Sequence, residues 1–390
     1  MSRTREVITG HIGLLLAGSA AYSMSTLFSA MKPVLLTRFV EENGWSDGLA
    51  GVAVAMPFVG IALASLLAST LAVRFSLRAL ALGLGGILIT AEVVSALAPG
   101  SVEVILLAQL LGGIAVGVLM GSCSRIIATQ RTPGPLFGMV DMIAVLLMSS
   151  MIALIGAAVQ LRGLAGGYGA AAGVALVLTI AMLAFRDSTP KSNTQRMAKP
   201  LVFSARALAT VLMAVIFVTC SGLGFTYMFT VAQNLGMTYA EAGRGIGLLL
   251  LVSAGACLAG GWVSSRVGPV RPLAVAFFAC AMGWYCVIHA GSALQFYVAL
   301  VPAIFSLQFN FPVLLDLAGS LDEDGRWGAI SAPLQTSGFA WAAILAGWIV
   351  GRYGIDALPI ATGFGMAICL GLLVPIARFR HHHLHVSAVR

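Results

Sequence analysis

Residues 261–273 read GWVSSRVGPVRPL. An apolar run, LLLLVSAGACLAG, precedes them, and another, AVAFFACAMGWYCVI, follows. Two arginines and no acid fill the gap, so positive charge marks a turn between two membrane-length segments. The arrangement occurs once more, at 69–80, as STLAVRFSLRAL, where Arg74 aligns with Arg266 at an offset of 192 residues. A second pair of blocks keeps that register. GWSDGLAG at 44–51 and GMTYAEAG at 236–243 match at Gly44 and Gly236, Ser46 and Thr238, Ala50 and Ala242, and Gly51 and Gly243. The chain therefore reads as an internal duplication of about half its length. Each block also has a local role. Ser46 and Thr238 fit helix N-caps, Thr238 with Glu241 makes a capping box, and arginines after a helix end suit its C-terminus and nearby lipid phosphates.

The composition agrees with membrane residence. Of 390 residues, 59% are hydrophobic and only 9% charged, against about 25% charged in soluble domains; the mean hydropathy is +0.98. The net charge of +8 is spread in ones and twos between apolar runs, which reports topology and excludes a nucleic-acid surface. The six cysteines fall in apolar segments without a CxxC pair, so they read as small packing residues and not as a metal site. The apolar stretch after Arg3 and Arg5 is long enough to span, and it reads as an uncleaved first helix.

A span needs about 20 mostly apolar residues. The sequence offers 12–31, 49–72, 79–98, 102–122, 136–158 and 166–185, then 207–230, 244–263, 272–290, 294–315, 328–350 and 355–377. The predicted fold is all-α, with twelve transmembrane helices in two six-helix bundles, 1–185 and 207–390, joined by a basic linker at 186–206. With both termini inside, seventeen of the 22 lysines and arginines fall inside and five outside: Lys32, Arg38, Arg162, Arg244 and Arg352. That skew predicts cytoplasmic termini and a multi-pass protein of a plasma membrane, with a bacterial inner membrane as the expected setting.

These features resemble the major facilitator superfamily over essentially the whole chain. The family's turn signature runs roughly G-x-x-x-D-R-x-G-R-R/K. The second copy here keeps Gly261, Arg266, Gly268 and Arg271, with Ser265 in the place of the acid. The first copy keeps Arg74 and Arg78, with Ser69, Val73 and Ser76 replacing glycine, acid and glycine. Gln109 stands where the family's fourth span carries an arginine, and the exporter Gly-Pro motif of span five is absent from MSSMIALIGAAV. The resemblance implies alternating access about a central cavity lined by spans one, four, seven and ten, with Arg74 and Arg266 at the inner gate.

Candidate site residues follow from polarity at membrane depth. Gln109, Gly113, Gly117, Gly121 and Arg125 recur every four residues on one face of span four. Small residues at that spacing let a helix pack closely, while Gln109 and Arg125 bracket a groove about 24 Å long. The two acids inside spans are Glu92 and Asp141, and such acids are functional candidates by default. Glu92 is expected to snorkel to the outer interface. Asp141 is expected to pair with Arg125 as a proton-sensitive cytoplasmic latch. Gln308 and Asn310 precede Pro312, which frees a carbonyl; the amides fit a substrate or the kink. Tyr22 and Gln335 are further deep polar groups, and Phe225 and Tyr227 fit an aromatic wall. The histidines at 381–383 and 385 suggest no more than weak metal capture.

No nucleotide-binding motif and no other cofactor signature is present, so an ion gradient, with protons the expected ion, or the substrate gradient itself must supply the energy. The expected function is secondary transport of a small organic molecule by a monomer, as an antiporter that exports a lipophilic or neutral compound. The alternative is proton-coupled uptake of a small, for example aromatic, acid. A transport-dead sensor would keep the same fold. A membrane-embedded enzyme would need a nucleophile or acid with a partnered base, which the sequence does not offer.

Overall fold

The chain's longest helix cannot be a single span. α5, Pro133–Leu183, has 51 residues, about 77 Å at 1.5 Å per residue, against a hydrocarbon core of ~30 Å. It breaks at Arg162 (φ −138°, ψ 19°) and Gly163 (φ 61°, ψ −150°). A β-carbon on Gly167 would lie 2.7 Å from Val159 and 4.0 Å from Ile155, contacts that a straight helix forbids, so the second limb doubles back on the first. Gly163 takes the left-handed conformation at no steric cost, and Glu42 closes the turn by accepting a 3.1 Å hydrogen bond from the Leu164 N–H.

The computed structural model describes residues 2–128, 130, 133–183, 204–321 and 326–387. Around α5 stand α1 (Ser2–Asn43), α2 (Asp47–Arg74), α3 (Leu77–Leu97), α4 (Val102–Ala128), α6 (Ala205–Asn234) and α7 (Tyr239–Val267). Then come α8 (Val270–Ile288), α9 (Ala293–Gly319), α10 (Arg326–Tyr353) and α11 (Leu358–Ser387). No strand occurs among the described residues. Ten of these helices are long and apolar enough to cross a membrane, and in α2 the apolar stretch is Gly48–Ala64. With α5 folded in two, the architecture accommodates the twelve expected spans. The expected linker at 186–206 lies mostly outside the described residues.

The duplication is visible in the turns. Ser46 caps α2, and Thr238 caps α7 with the expected capping box through Glu241. Gly44 (φ 66°) and Gly236 (φ 80°) both take positive φ at the offset of 192, and Gly163 and Gly354 repeat the relation at 191. At Gly236 the helix ends in a Schellman pair, Gly236 N–H to Gln233 carbonyl and Met237 N–H to Ala232 carbonyl, a motif that requires the left-handed residue. α1 to α5 pack among themselves, as do α6 to α11, and the two sets meet where α2 crosses α10 and α5 crosses α7.

The four-residue stripe on α4 serves this packing. A β-carbon on Gly117 would sit 2.8 Å from the Ile61 Cα and 2.5 Å from the Ala64 Cβ, and Gly113 presses on the Pro57 carbonyl. The glycines therefore seat α2, and they do not line an open groove.

Candidate functional site

Tyr22, Ser25, Thr26 and Ser29 share one face of α1 at spacings of three and four. They wall a central cavity of about 40 Å³. Met120 of α4, Asp141, Val145 and Met148 of α5, and Phe225 of α6 complete one side; Leu307, Gln308 and Phe311 of α9 with Thr336 and Phe339 of α10 complete the other. That volume holds a few waters. An organic ligand needs roughly 300 Å³ or more, so loading requires the helices to part.

Asp141 sits in this wall, 4% exposed. Its Oδ2 has no hydrogen-bond partner, and the Cys257 thiol of α7 stands beside its carboxylate. Among the described residues no ion pair joins Asp141 to a cation, which corrects the expected Arg125–Asp141 pair. Arg125 occupies the last turn of α4, where a cation suits the helix dipole. Asp141 instead faces the cavity on one side and the α5–α7 seam on the other. Close by, a β-carbon on Gly138 would be 2.9 Å from the Cys257 carbonyl, so the seam is tight at this level.

Tyr22 and Gln308 also line the cavity, and the Tyr22 hydroxyl bonds to Ser124 Oγ at 2.8 Å. Other predicted residues lie elsewhere. Gln109 turns away from the cavity and donates to Ser95 Oγ (3.1 Å) and Glu92 Oε1 (3.4 Å) between α3 and α4. Glu92 is fully buried. It does not snorkel, because the amide one helix away satisfies part of its polarity. Gln335 donates to the Phe311 carbonyl at 3.3 Å beside the Pro312 bend, and thus serves the kink. Asn310 is fully buried with neither amide atom bonded. Arg266 is stacked on the Trp262 ring at 4.0 Å. The side chains of Arg74 and of the C-terminal histidines lie outside the described residues.

One residue was misassigned. Lys32 reads from the sequence as an outer loop cation, yet α1 continues to Asn43 and Lys32 is 1% exposed. Its ammonium lies 5.9, 5.7 and 4.8 Å from the ring centres of Phe58, Phe225 and Phe339. Nζ has no hydrogen-bond partner, and no carboxylate pairs with it among the described residues. The cue was the α1 stripe, since Lys32 continues Tyr22, Ser25 and Ser29 at helical spacing.

Toward the Gly44 and Gly236 turns a second, larger cavity of about 530 Å³ opens between α1, α5, α6 and α7. Arg38, Gln160, Phe229 and Arg244 are among its walls. Arg38 is shared with Glu41 and Glu42 at 3.4 and 3.5 Å. The helices α5 and α7 are thus closed near Cys257 and separated near Gln160.

The model of the Major Facilitator Superfamily matches residues 14–321. The chain belongs to that superfamily. Solved superfamily structures share its fold across nearly the whole length. The human organic anion transporter MFSD10 (TETRAN) is 16% identical, with a TM-score of 0.73, 94% of this chain and 99% of that one covered. The proton:xylose symporter XylE, bound to 6-bromo-6-deoxy-D-glucose, is 13% identical, with a TM-score of 0.72 and 95% and 96% coverage. No curated protein matches the sequence significantly. This superfamily chain is a transporter and not an enzyme, built on a multi-pass membrane fold.

Proposed function

We propose that the chain moves a small organic molecule by proton-coupled alternating access, its halves 1–185 and 207–390 rocking about the central cavity. One observation carries the reading. Asp141 is a buried acid with an unfilled oxygen, set in the cavity wall and next to Cys257 where the α5–α7 seam is tight. A proton arriving from the cavity removes the charge beside Cys257 and frees the seam to open; the proton then leaves to the opposite side. The latch is thus the Asp141–Cys257 contact.

The halves sit in a plasma membrane with both termini cytoplasmic. Reporter fusions at Gly44, Gly166 and Gly236 are expected to read outside, and fusions at Asn193 and after Arg380 to read inside. An inside signal at Gly236 would overturn the topology. A second reading, export of a lipophilic compound, draws on the apolar lining of Met120, Met148, Leu307 and Phe311.

Direction and coupling are read together in proteoliposomes holding the purified full chain and a mixed compound library. A pH gradient of either polarity is imposed, and retained compounds are identified by mass spectrometry. The expected result is accumulation under one polarity only, abolished by a protonophore. Retention equal to protein-free vesicles under both polarities would sink the transporter mechanism.

A further inference from the structure

Lys32 takes no part in the proton step, and its surroundings are unusual for a cation. It lies on the face of α1 that carries Tyr22, Ser25 and Ser29, next to the cavity that those residues line. Phe225 and Phe339 belong both to the cavity wall and to the ring cage over its ammonium. Phe58 closes the cage, its ring 5.6 Å from that of Phe339. The cage joins both halves: Lys32 and Phe58 come from α1 and α2, Phe225 and Phe339 from α6 and α10.

Ring faces attract an ammonium, but they accept none of its three N–H donors in the manner of an oxygen. A buried, unbonded cation is costly unless an anion completes it. The nearest acids do not. Glu41 and Glu42 are occupied with Arg38 two to three turns further along α1, and Asp141, at the α5–α7 seam, makes no ion pair with Lys32. Pro33 adds to the polarity of this place, since it has no N–H to bond the Ser29 carbonyl. An anion from outside the chain would supply the partner that no described residue gives Lys32.

We infer that Lys32 and the rings of Phe58, Phe225 and Phe339 form the binding site for a small aromatic carboxylate, its carboxylate on the ammonium and its ring against the phenylalanines. The inference rests on the transporter reading above and supplies its substrate class. The ligand bridges residues of both halves, so its arrival favours their closure around it.

The test uses the purified full-length chain and thermal stabilisation by benzoate, phenylacetate and salicylate, each beside its neutral amide. The carboxylates are expected to raise the melting temperature, and the amides to leave it unchanged. Lys32→Met replaces a buried unpaired charge by an apolar chain of similar length, a change that is often neutral or stabilising. It is expected to fold, to melt as high as the wild type, and to need at least ~30-fold more carboxylate for the same shift. Lys32→Gln serves as a second variant with the same expectation. Equal stabilisation by amides, no response to any of the three acids, or a carboxylate response that survives Lys32→Met overturns the site. Survival there with loss in Arg38→Gln or Arg244→Gln would move the anion to the outer vestibule, and so also overturns it. The two readings separate cleanly. If neutral compounds accumulate with a pH gradient and acids do not, the substrate class fails alone. If acids bind through Lys32 but nothing accumulates, the coupling fails alone.

Discussion

Asp141→Asn is expected to bind and exchange substrate at near wild-type rates and to lose accumulation driven by a pH gradient. Asparagine keeps the volume of the side chain and mimics the protonated acid, so the cavity wall stays filled. It carries no charge beside Cys257 and no site for a travelling proton. One proton crossing a gradient of one pH unit brings about 1.4 kcal/mol, a tenfold concentration ratio. The variant should therefore fall from roughly tenfold accumulation at that gradient to a ratio near one. Flux and counterflow in the same proteoliposomes check both halves of the statement. Full gradient-driven accumulation in Asp141→Asn would remove Asp141 from the mechanism, and Glu92→Gln would be the next variant to measure.

Gly117→Leu should be the most damaging single substitution on α4. A β-carbon there already meets the Ile61 backbone at 2.8 Å and Ala64 at 2.5 Å, so the new side chain cannot be placed without moving α2. Overpacking costs 1–3 kcal/mol when neighbours can yield, and backbone yields less than side chains. A loss of about 3 kcal/mol or more is expected, seen as a large drop in melting temperature and in yield of folded protein. Gly83→Leu on α3 is the control, because nothing lies within 4 Å of a β-carbon there. Its helix should gain up to about 1 kcal/mol from the removed glycine. Equal melting temperatures for the two variants would mean that α2 and α4 do not meet at this stripe.

The sequence made the turns legible because turn chemistry is local. Positive φ needs glycine, and N-caps need a short polar side chain, so Gly44, Gly236, Ser46 and Thr238 could be aligned without any tertiary knowledge. Helical periodicity also placed Gly113 and Gly117 on one face. That spacing lets a helix pack closely, but it could not say which one; the structure seats α2 there. Glu92 shows the same gap between depth and direction. Its distance from the helix end predicted snorkelling, yet the side chain turns inward to Gln109. Lys32 was missed for a different reason. The expected first span, 12–31, ends just before Lys32, and charge counting treats each lysine as a topology marker. The Asp141–Cys257 contact joins residues 116 positions apart across the seam, and no local pattern announces it.

The most direct measurement places spin labels at two heights of that seam, with the exposed Cys286 replaced by serine. One pair, at Gln160 and Arg244, spans the outer vestibule. The other, at Met139 and Leu258, flanks the closed level near Gly138 and Cys257. Both pairs are read in otherwise wild-type protein and in Asp141→Asn. Loss of the carboxylate should lengthen the inner distance and shorten the outer one together, the reciprocal motion of two halves rocking about the cavity. Distances that stay unchanged, or that lengthen at both levels, would contradict it.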